Sequence, residues 1–257
     1  MHGKVALVTG AAGGIGAATV RALASRGVRV AAVDRDGQGL REQAGKLAAD
    51  GLTATPFPLD VTEAREVEAA VSRIEDGLGP VEYLVNAAGV LRLGTATGYE
   101  DADWQTTFAV NVDGVFHVSR AVVRRMVPRA SGALVTVASN AAVTPRVGMA
   151  AYAASKAAAA MFTKSLGLEV ARHNIRCNVV QPGSTDTPML RAMWGPDDGA
   201  ARATVEGDPA AFRVGIPLGR VAQPEQVAEA AVFLLSDEAA QITLHSLTVD
   251  GGASLGA

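Results

Sequence analysis

The feature that most constrains this chain is an alternation of short apolar runs with longer amphipathic stretches. Residues 5–9 (VALVT) are apolar, a turn with Gly10, Gly13, Gly14 and Gly16 follows, residues 17–25 read as helix, and 28–33 form a second apolar run ending in Asp34. Further strand-like runs lie at 53–58, 81–85, 133–138, 175–180 and 247–249, with helical patterns at 40–49, 63–78, 101–126, after Tyr152, and at 225–235. Short runs separated by helices predict an α/β, doubly wound parallel sheet with right-handed crossovers and helices on both faces. Hydrophobic residues make up 49% of the chain but aromatics only 4%, so the core must be Ala, Val, Leu and Ile, as a sheet covered on both faces requires. With no internal repeat and no linker composition, residues 1–257 read as one domain. The Gly-, Pro- and Asp-rich stretch 188–216 reads as a long irregular loop, of the kind that forms substrate lids.

Composition also excludes several functions. A net charge of −3 offers no basic surface for nucleic acid. No apolar run reaches the ~18 residues of a membrane span, and no charged-then-apolar leader precedes the first strand, so a soluble cytoplasmic protein is expected. The lone Cys177 forms no intrachain disulfide, suits a reducing compartment and reads as buried core. His2, His117, His173 and His245 show no ligand spacing, so no metal site is expected.

The strand–glycine turn–helix–strand unit at residues 5–34 is the pattern of a dinucleotide site. The glycines are spaced G-x-x-x-G-x-G, which still supplies a tight turn, close backbone approach to a pyrophosphate and a helix N-terminus that attracts anions. Asp34 could accept both hydroxyls of an adenosine ribose and repel a 2′-phosphate, favouring NAD; Arg35 beside it could instead pair with such a phosphate. Asp60 could cap an adenine amino group or simply a helix. The small residues of Asn86-Ala87-Ala88-Gly89 would let backbone approach a ligand, or make an ordinary strand-end turn.

The second half carries the chemistry. Tyr152 and Lys156 stand one turn apart on a helix face. An ammonium held there would favour the phenolate of Tyr152 and make it a usable base. Ser139, at the end of the strand before, could orient a substrate oxygen beside that phenol. No G-x-S-x-G elbow surrounds Ser139, which argues against a hydrolase. The polar run after 175–180, Pro182 to Thr187, lies where a doubly wound sheet binds ligands. Arg146, between Ser139 and Tyr152, and Arg92, after the NAAG turn, are candidates to clamp a substrate carboxylate, with Met149 as an apolar wall.

Taken together, TGAAGGIG (9–16), NAAG (86–89), Asn111, Ser139, Y-x-x-x-K (Tyr152, Lys156) and Pro182-Gly183 resemble the short-chain dehydrogenase/reductase family in type, order and spacing over nearly the whole chain. The resemblance implies a Rossmann-type seven-stranded sheet of order 3-2-1-4-5-6-7 and a homotetramer. It implies Tyr152 as acid/base, Lys156 lowering its pKa and holding the nicotinamide ribose, Ser139 orienting substrate, Asn111 supporting Lys156 through a water, and Thr187 on the carboxamide. The cofactor-contacting set it implies is Gly10, Gly14, Ile15, Gly16, Asp34, Asp60, Val61, Asn86, Ala87, Gly89, Pro182, Gly183, Thr185 and Thr187, with Tyr152 and Lys156.

Within the family, VNAAGVLRLG (85–94), RCNVVQPGSTDTPM (176–189), GIPLGR (215–220) and the ending ITLHSLTVDGGASLGA look like dehydrogenases that convert 2,3-dihydro-2,3-dihydroxybenzoate into a siderophore precursor. That likeness implies a small anionic cyclohexadiene carboxylate as substrate and NAD as cofactor. The alternatives are an amino analogue such as 2,3-dihydro-3-hydroxyanthranilate, carbonyl reduction, or a non-catalytic NAD-binding protein; the intact Ser139, Tyr152 and Lys156 argue against the last.

Overall fold

Strand β1 (Val5–Thr9) is buried at every position and sits near the middle of the sheet. The structure, a computed structural model, describes residues 1–194 and 199–256. Successive side chains of β1 enter opposite layers: Ala6 and Val8 join one apolar cluster, Val5 and Leu7 the other. Full burial of each such side chain stabilises by roughly 1.5–3 kcal/mol for Val or Leu, which is why the run carries no polar residue before Thr9.

Around β1 the sheet is β2 (Arg29–Asp34), β3 (Ala54–Pro58), β4 (Val81–Asn86), β5 (Gly132–Val137), β6 (Ile175–Pro182) and β7 (Ser246–Val249). All pairings are parallel, in the order β3-β2-β1-β4-β5-β6-β7. Both the order and the seven strands match the expectation. Pro56 and Pro58 are tolerated because β3 is an edge strand.

The helices α1 (Gly14–Ala24), α2 (Gly37–Ala49) and α9 (Pro224–Leu235) cover one face. Helices α3 (Ala64–Leu78), α5 (Gly114–Arg129) and α6 (Ala150–Val170) cover the other. At Gly167 of α6 a Cβ would lie 2.9 Å from that of Cys177, so the glycine lets α6 press onto β6.

Two stretches differ from the sequence reading. The helix expected at 101–126 is interrupted: α4 (Asp101–Phe108) passes into a π-helical turn, Ala109–Asp113, before α5. Turns of this kind gather at functional sites. Nor is the 188–216 stretch structureless. It forms α7 (Pro188–Arg191), α8 (Gly199–Glu206) and a 3₁₀ turn at Pro209–Ala211; its residues 195–198, and residue 257 of the expected domain, lie outside the described residues. Thr187 caps α7 through its Oγ1, and Asp208 caps the 3₁₀ turn, so short capped turns replace the expected loop. Among the described residues, no helix is long and apolar enough to cross a membrane.

Cys177 is fully buried, and burial pushes its thiol up to about 12. Native protein should therefore not react with a thiol reagent such as dithiobis-nitrobenzoate at neutral pH, and should titrate one thiol in denaturant. Rapid native labelling would contradict this packing.

Candidate active site

The site lies at the C-terminal ends of the strands, where strand order reverses between β1 and β4. Two cavities meet there. One, of about 310 Å³, runs over the glycine turn and Asp34. The other, of about 400 Å³, lies over Ser139 and Tyr152. Ile15, Ala87, Gly89, Thr187 and Met189 line both, so they form a continuous groove.

The first cavity fits a dinucleotide. Gly10 has φ +69°, and a Cβ there would stand 2.7 Å from the Ala88 nitrogen; a Cβ at Gly16 would run into the Gly10 carbonyl oxygen. Gly13 caps α1 without a side-chain acceptor, and its first turn holds no acid, so the helix N-terminus is left to an anion. Asp34 is braced at the mouth: its Oδ2 accepts from Ala12 N (3.1 Å) and its Oδ1 from Asp36 N (3.0 Å). Gly14, Asp60 and Val61 line this cavity too. The Asp60 Oδ1 accepts from the backbone and hydroxyl of Thr62, while α3 is capped by Glu63 without a side-chain bond, so Asp60 organises a turn rather than capping the helix.

Asn86 faces the sheet with its side chain. Its amide is buried in the sheet and donates to Ser119 Oγ (2.9 Å) and Thr136 Oγ1 (3.4 Å), and the cavity wall is made instead by Ala87 to Val90. Thr9 Oγ1 accepts from Ala87 N and Ala88 N, each at 3.1 Å, and sets that wall. On the far side, Pro182, Gly183, Thr185 and Thr187 line the second cavity from the end of β6.

Tyr152 stands in the first turn of α6, with Lys156 one turn on. Asn111, wholly buried in the π turn, ties this helix to the loop after β4. Its Oδ1 accepts from Val90 N (2.8 Å), while its Nδ2 donates to Val90 O (3.0 Å) and Ser155 Oγ (2.9 Å); Ser155 in turn donates to Tyr152 O (2.7 Å). Removing that amide would strand buried backbone groups at about 1–3 kcal/mol each.

The Lys156 ammonium is buried, donates to Val137 O (2.9 Å), and lies 5.8 Å from the centre of the Tyr152 ring. Burial pushes Lys156 down to about 8, so it is still mostly charged at neutral pH. Burial also raises Tyr152 above its ordinary 10, and hydrogen bonding with Ser139 pulls it back.

Ser139 is 8% exposed, and its Oγ also accepts from Ala141 N (3.1 Å). The next residue, Asn140, donates to Asp250 Oδ2 (3.1 Å), which also accepts from Ser254 N and Oγ. Burial pushes the Asp250 carboxyl up, but the hydrogen bonds from Ser254, Asn140 and Gly252 together hold it below its ordinary value. The C-terminal turn thus braces the serine loop, a role that nothing in a lone DGG tripeptide announces.

Arg146 and Met149 line the second cavity, and the Arg146 Nη2 donates to Ala253 O at 3.4 Å. Arg92 does not line it: its guanidinium is half exposed and faces Asp103 at 3.6 Å. Arg213, which the sequence reading passed over inside the irregular stretch, lines the cavity with Arg146.

This arrangement, a dinucleotide groove ending at a Ser–Tyr–Lys set, can remove a proton from an alcohol whose carbon faces a hydride acceptor. The sequence pattern described as short chain dehydrogenase matches residues 4–197, and the chain belongs to that family. It is 50% identical over 256 residues to the 2,3-dihydro-2,3-dihydroxybenzoate dehydrogenase of Bacillus subtilis (strain 168), covering 100% of this chain and 98% of that protein. It is 43% identical over 260 residues to the enzyme of the same name from Escherichia coli (strain K12), covering 99% and 98%. Among solved structures, levodione reductase superposes with a TM-score of 0.92 at 26% identity, covering all of both chains.

Gly16→Ala should weaken binding of a reduced nicotinamide dinucleotide roughly tenfold or more, read by fluorescence titration, with a cooperative melt retained. Unchanged affinity would place the pyrophosphate elsewhere.

Proposed function

We propose that the protein oxidises 2,3-dihydro-2,3-dihydroxybenzoate to 2,3-dihydroxybenzoate, a siderophore precursor, with NAD. The observation that carries this reading is the meeting of Ser139, Tyr152 and Lys156 in one cavity with two arginines on its wall. The names of the relatives from Bacillus subtilis and Escherichia coli support the substrate. NAD held in the glycine-turn groove would supply the hydride acceptor for C3 of the ring, and the ketone left after loss of hydride and proton tautomerises to the catechol.

The chain's own residues supply the rest. The Tyr152 phenolate takes the C3 hydroxyl proton. Ser139 Oγ orients the substrate oxygen, and Lys156 favours the phenolate and holds the nicotinamide ribose. Asn111 keeps α6 and the Val90 loop in register, so Tyr152 and Lys156 face the groove together. The set Gly10, Gly14, Ile15, Gly16, Asp34, Asp60, Val61, Asn86, Ala87, Gly89, Pro182, Gly183, Thr185 and Thr187 holds the dinucleotide. Asp34 favours NAD, since a 2′-phosphate beside its carboxylate would meet like charge. Arg146 receives the ring carboxylate, Met149 supplies apolar wall, and 188–216 acts as the lid of a single domain.

The enzyme is proposed to be cytoplasmic, in keeping with one buried thiol, and homotetrameric. Phe116 of α5, with Met161 and Leu168 of α6, leaves apolar surface for such an assembly at 39%, 63% and 71% exposure.

Purified protein with NAD⁺ and trans-2,3-dihydro-2,3-dihydroxybenzoate should form reduced nicotinamide and the catechol acid. NADP⁺ should be at least about tenfold poorer, and Asp34→Ala should narrow that gap. Turnover confined to the amino analogue would keep the mechanism and replace the substrate. Silence on both would remove the proposal.

A further inference from the structure

The cavity over Tyr152 is lined by three cationic side chains, Arg146, Lys156 and Arg213, against one carboxylate, Asp208. Lys156 is engaged by Val137 O. The Asp208 Oδ1 accepts from Ala210 N (3.0 Å) at the cap of its 3₁₀ turn. Arg146 and Arg213 remain, and neither is within ion-pair distance of a carboxylate among the described residues.

They reach the cavity from different elements. Arg146 stands on the loop between β5 and α6, braced by Ala253 O. Arg213 stands on the return from α8, where a two-way backbone bridge with Asp208 (2.9 Å each way) and the Ile216 N to Val205 O bond (2.8 Å) fix the segment. Phe212, just before it, has φ +53°, a costly conformation for a bulky residue, and is 88% exposed. The bend thus sends the arginine inward and leaves the phenyl ring in solvent. Burial, then the neighbouring Arg213 charge, lowers the proton affinity of Arg146, with Asp250 opposing. Two guanidiniums that repel each other across a cavity walled by Met149, Met193 and Trp194 are complementary to an anion placed between them.

We propose that Arg213 is a specificity residue that grips the ring carboxylate from the lid side while Arg146 grips it from the serine loop, so that the site selects anionic over neutral alcohols. This rests on reading the cavity as an alcohol-oxidising site. The clamp brings the carboxylate end of the ring between the two loops, which leaves the carbinol end for Ser139 and Tyr152.

The test uses Arg213→Met, Arg213→Lys and Arg146→Met in the full chain. Selectivity is the ratio of kcat/KM for 2,3-dihydro-2,3-dihydroxybenzoate to that for the same cyclohexadiene diol lacking the carboxylate. Arg213→Met should lower this ratio roughly 10- to 100-fold, the worth of one charged hydrogen-bonded pair, chiefly through KM for the acid. Arg213→Lys, which keeps the charge without the planar fork, should fall between. Salicylate, a substrate-independent probe titrated by calorimetry, should bind more weakly to each Met variant. An unchanged ratio with unchanged salicylate affinity would overturn the clamp, as would equal losses on acid and neutral diol, which would mark a general lid defect. If the wild type oxidised neither diol, the reaction assigned above would fall, and the salicylate titration would still decide the clamp.

Discussion

Everything at this site depends on how Asn111 uses its amide. Both ends of one side chain are engaged, the oxygen and nitrogen with the Val90 backbone and the nitrogen also with Ser155, one residue before Lys156. A loop that leaves β4 and a helix that follows β5 are thereby held to a common reference. The π turn at Ala109–Asp113 is what carries Asn111 to a buried position between them. Gly89 completes the arrangement: a Cβ there would come within 3.2 Å of the Lys156 ammonium and 3.3 Å of the Asn111 oxygen. A short neutral side chain thus sets where the charged one stands.

The sheet supplies the larger geometry. Because β1 pairs with β2 on one side and β4 on the other, the connections after β1 and β4 leave toward opposite faces and open a crevice between them. The glycine turn fills one side of that crevice with backbone, and Thr187, against Gly14, marks the passage into the second cavity. Beyond it the chemistry passes to side chains from β5, α6 and the C-terminal turn, with Asp250 joining Asn140 to Ser254. The glycine turn and the Ser139–Tyr152 side chains thus stand on segments distant in sequence that meet at the strand ends.

Much of this was legible in the sequence, and the reasons are physical. The central strands announced themselves because burial on both faces favours apolar residues, as in residues 5–9 and 83–85. The glycine turn was legible because Gly10 and Gly16 leave no room for a Cβ. Tyr152 and Lys156 were legible because helical spacing places them on one face. What stayed hidden depends on contacts between distant segments. Asn86 turns into the sheet through partners 33 and 50 positions away. Arg213 and Arg92 look alike as isolated surface arginines, and only the path of the chain puts one in the cavity and the other beside Asp103. The upward push of burial on Tyr152 also needs three dimensions, since it arises from packing around the phenol.

The central claim is that the half-buried Tyr152 phenol, with Ser139 beside it, is the group that takes the proton. The most direct measurement is the pH dependence of kcat/KM for oxidation in wild type, Ser139→Ala and Tyr152→Phe, with dinucleotide affinity followed in parallel. Since burial raises the phenol and Ser139 lowers it, the wild-type rate should climb with pH, and loss of Ser139 should move that climb to higher pH. Tyr152→Phe should lose about 10²–10⁴ in kcat at every pH while still binding the dinucleotide. A Tyr152→Phe enzyme with wild-type turnover and an unchanged profile would contradict the account.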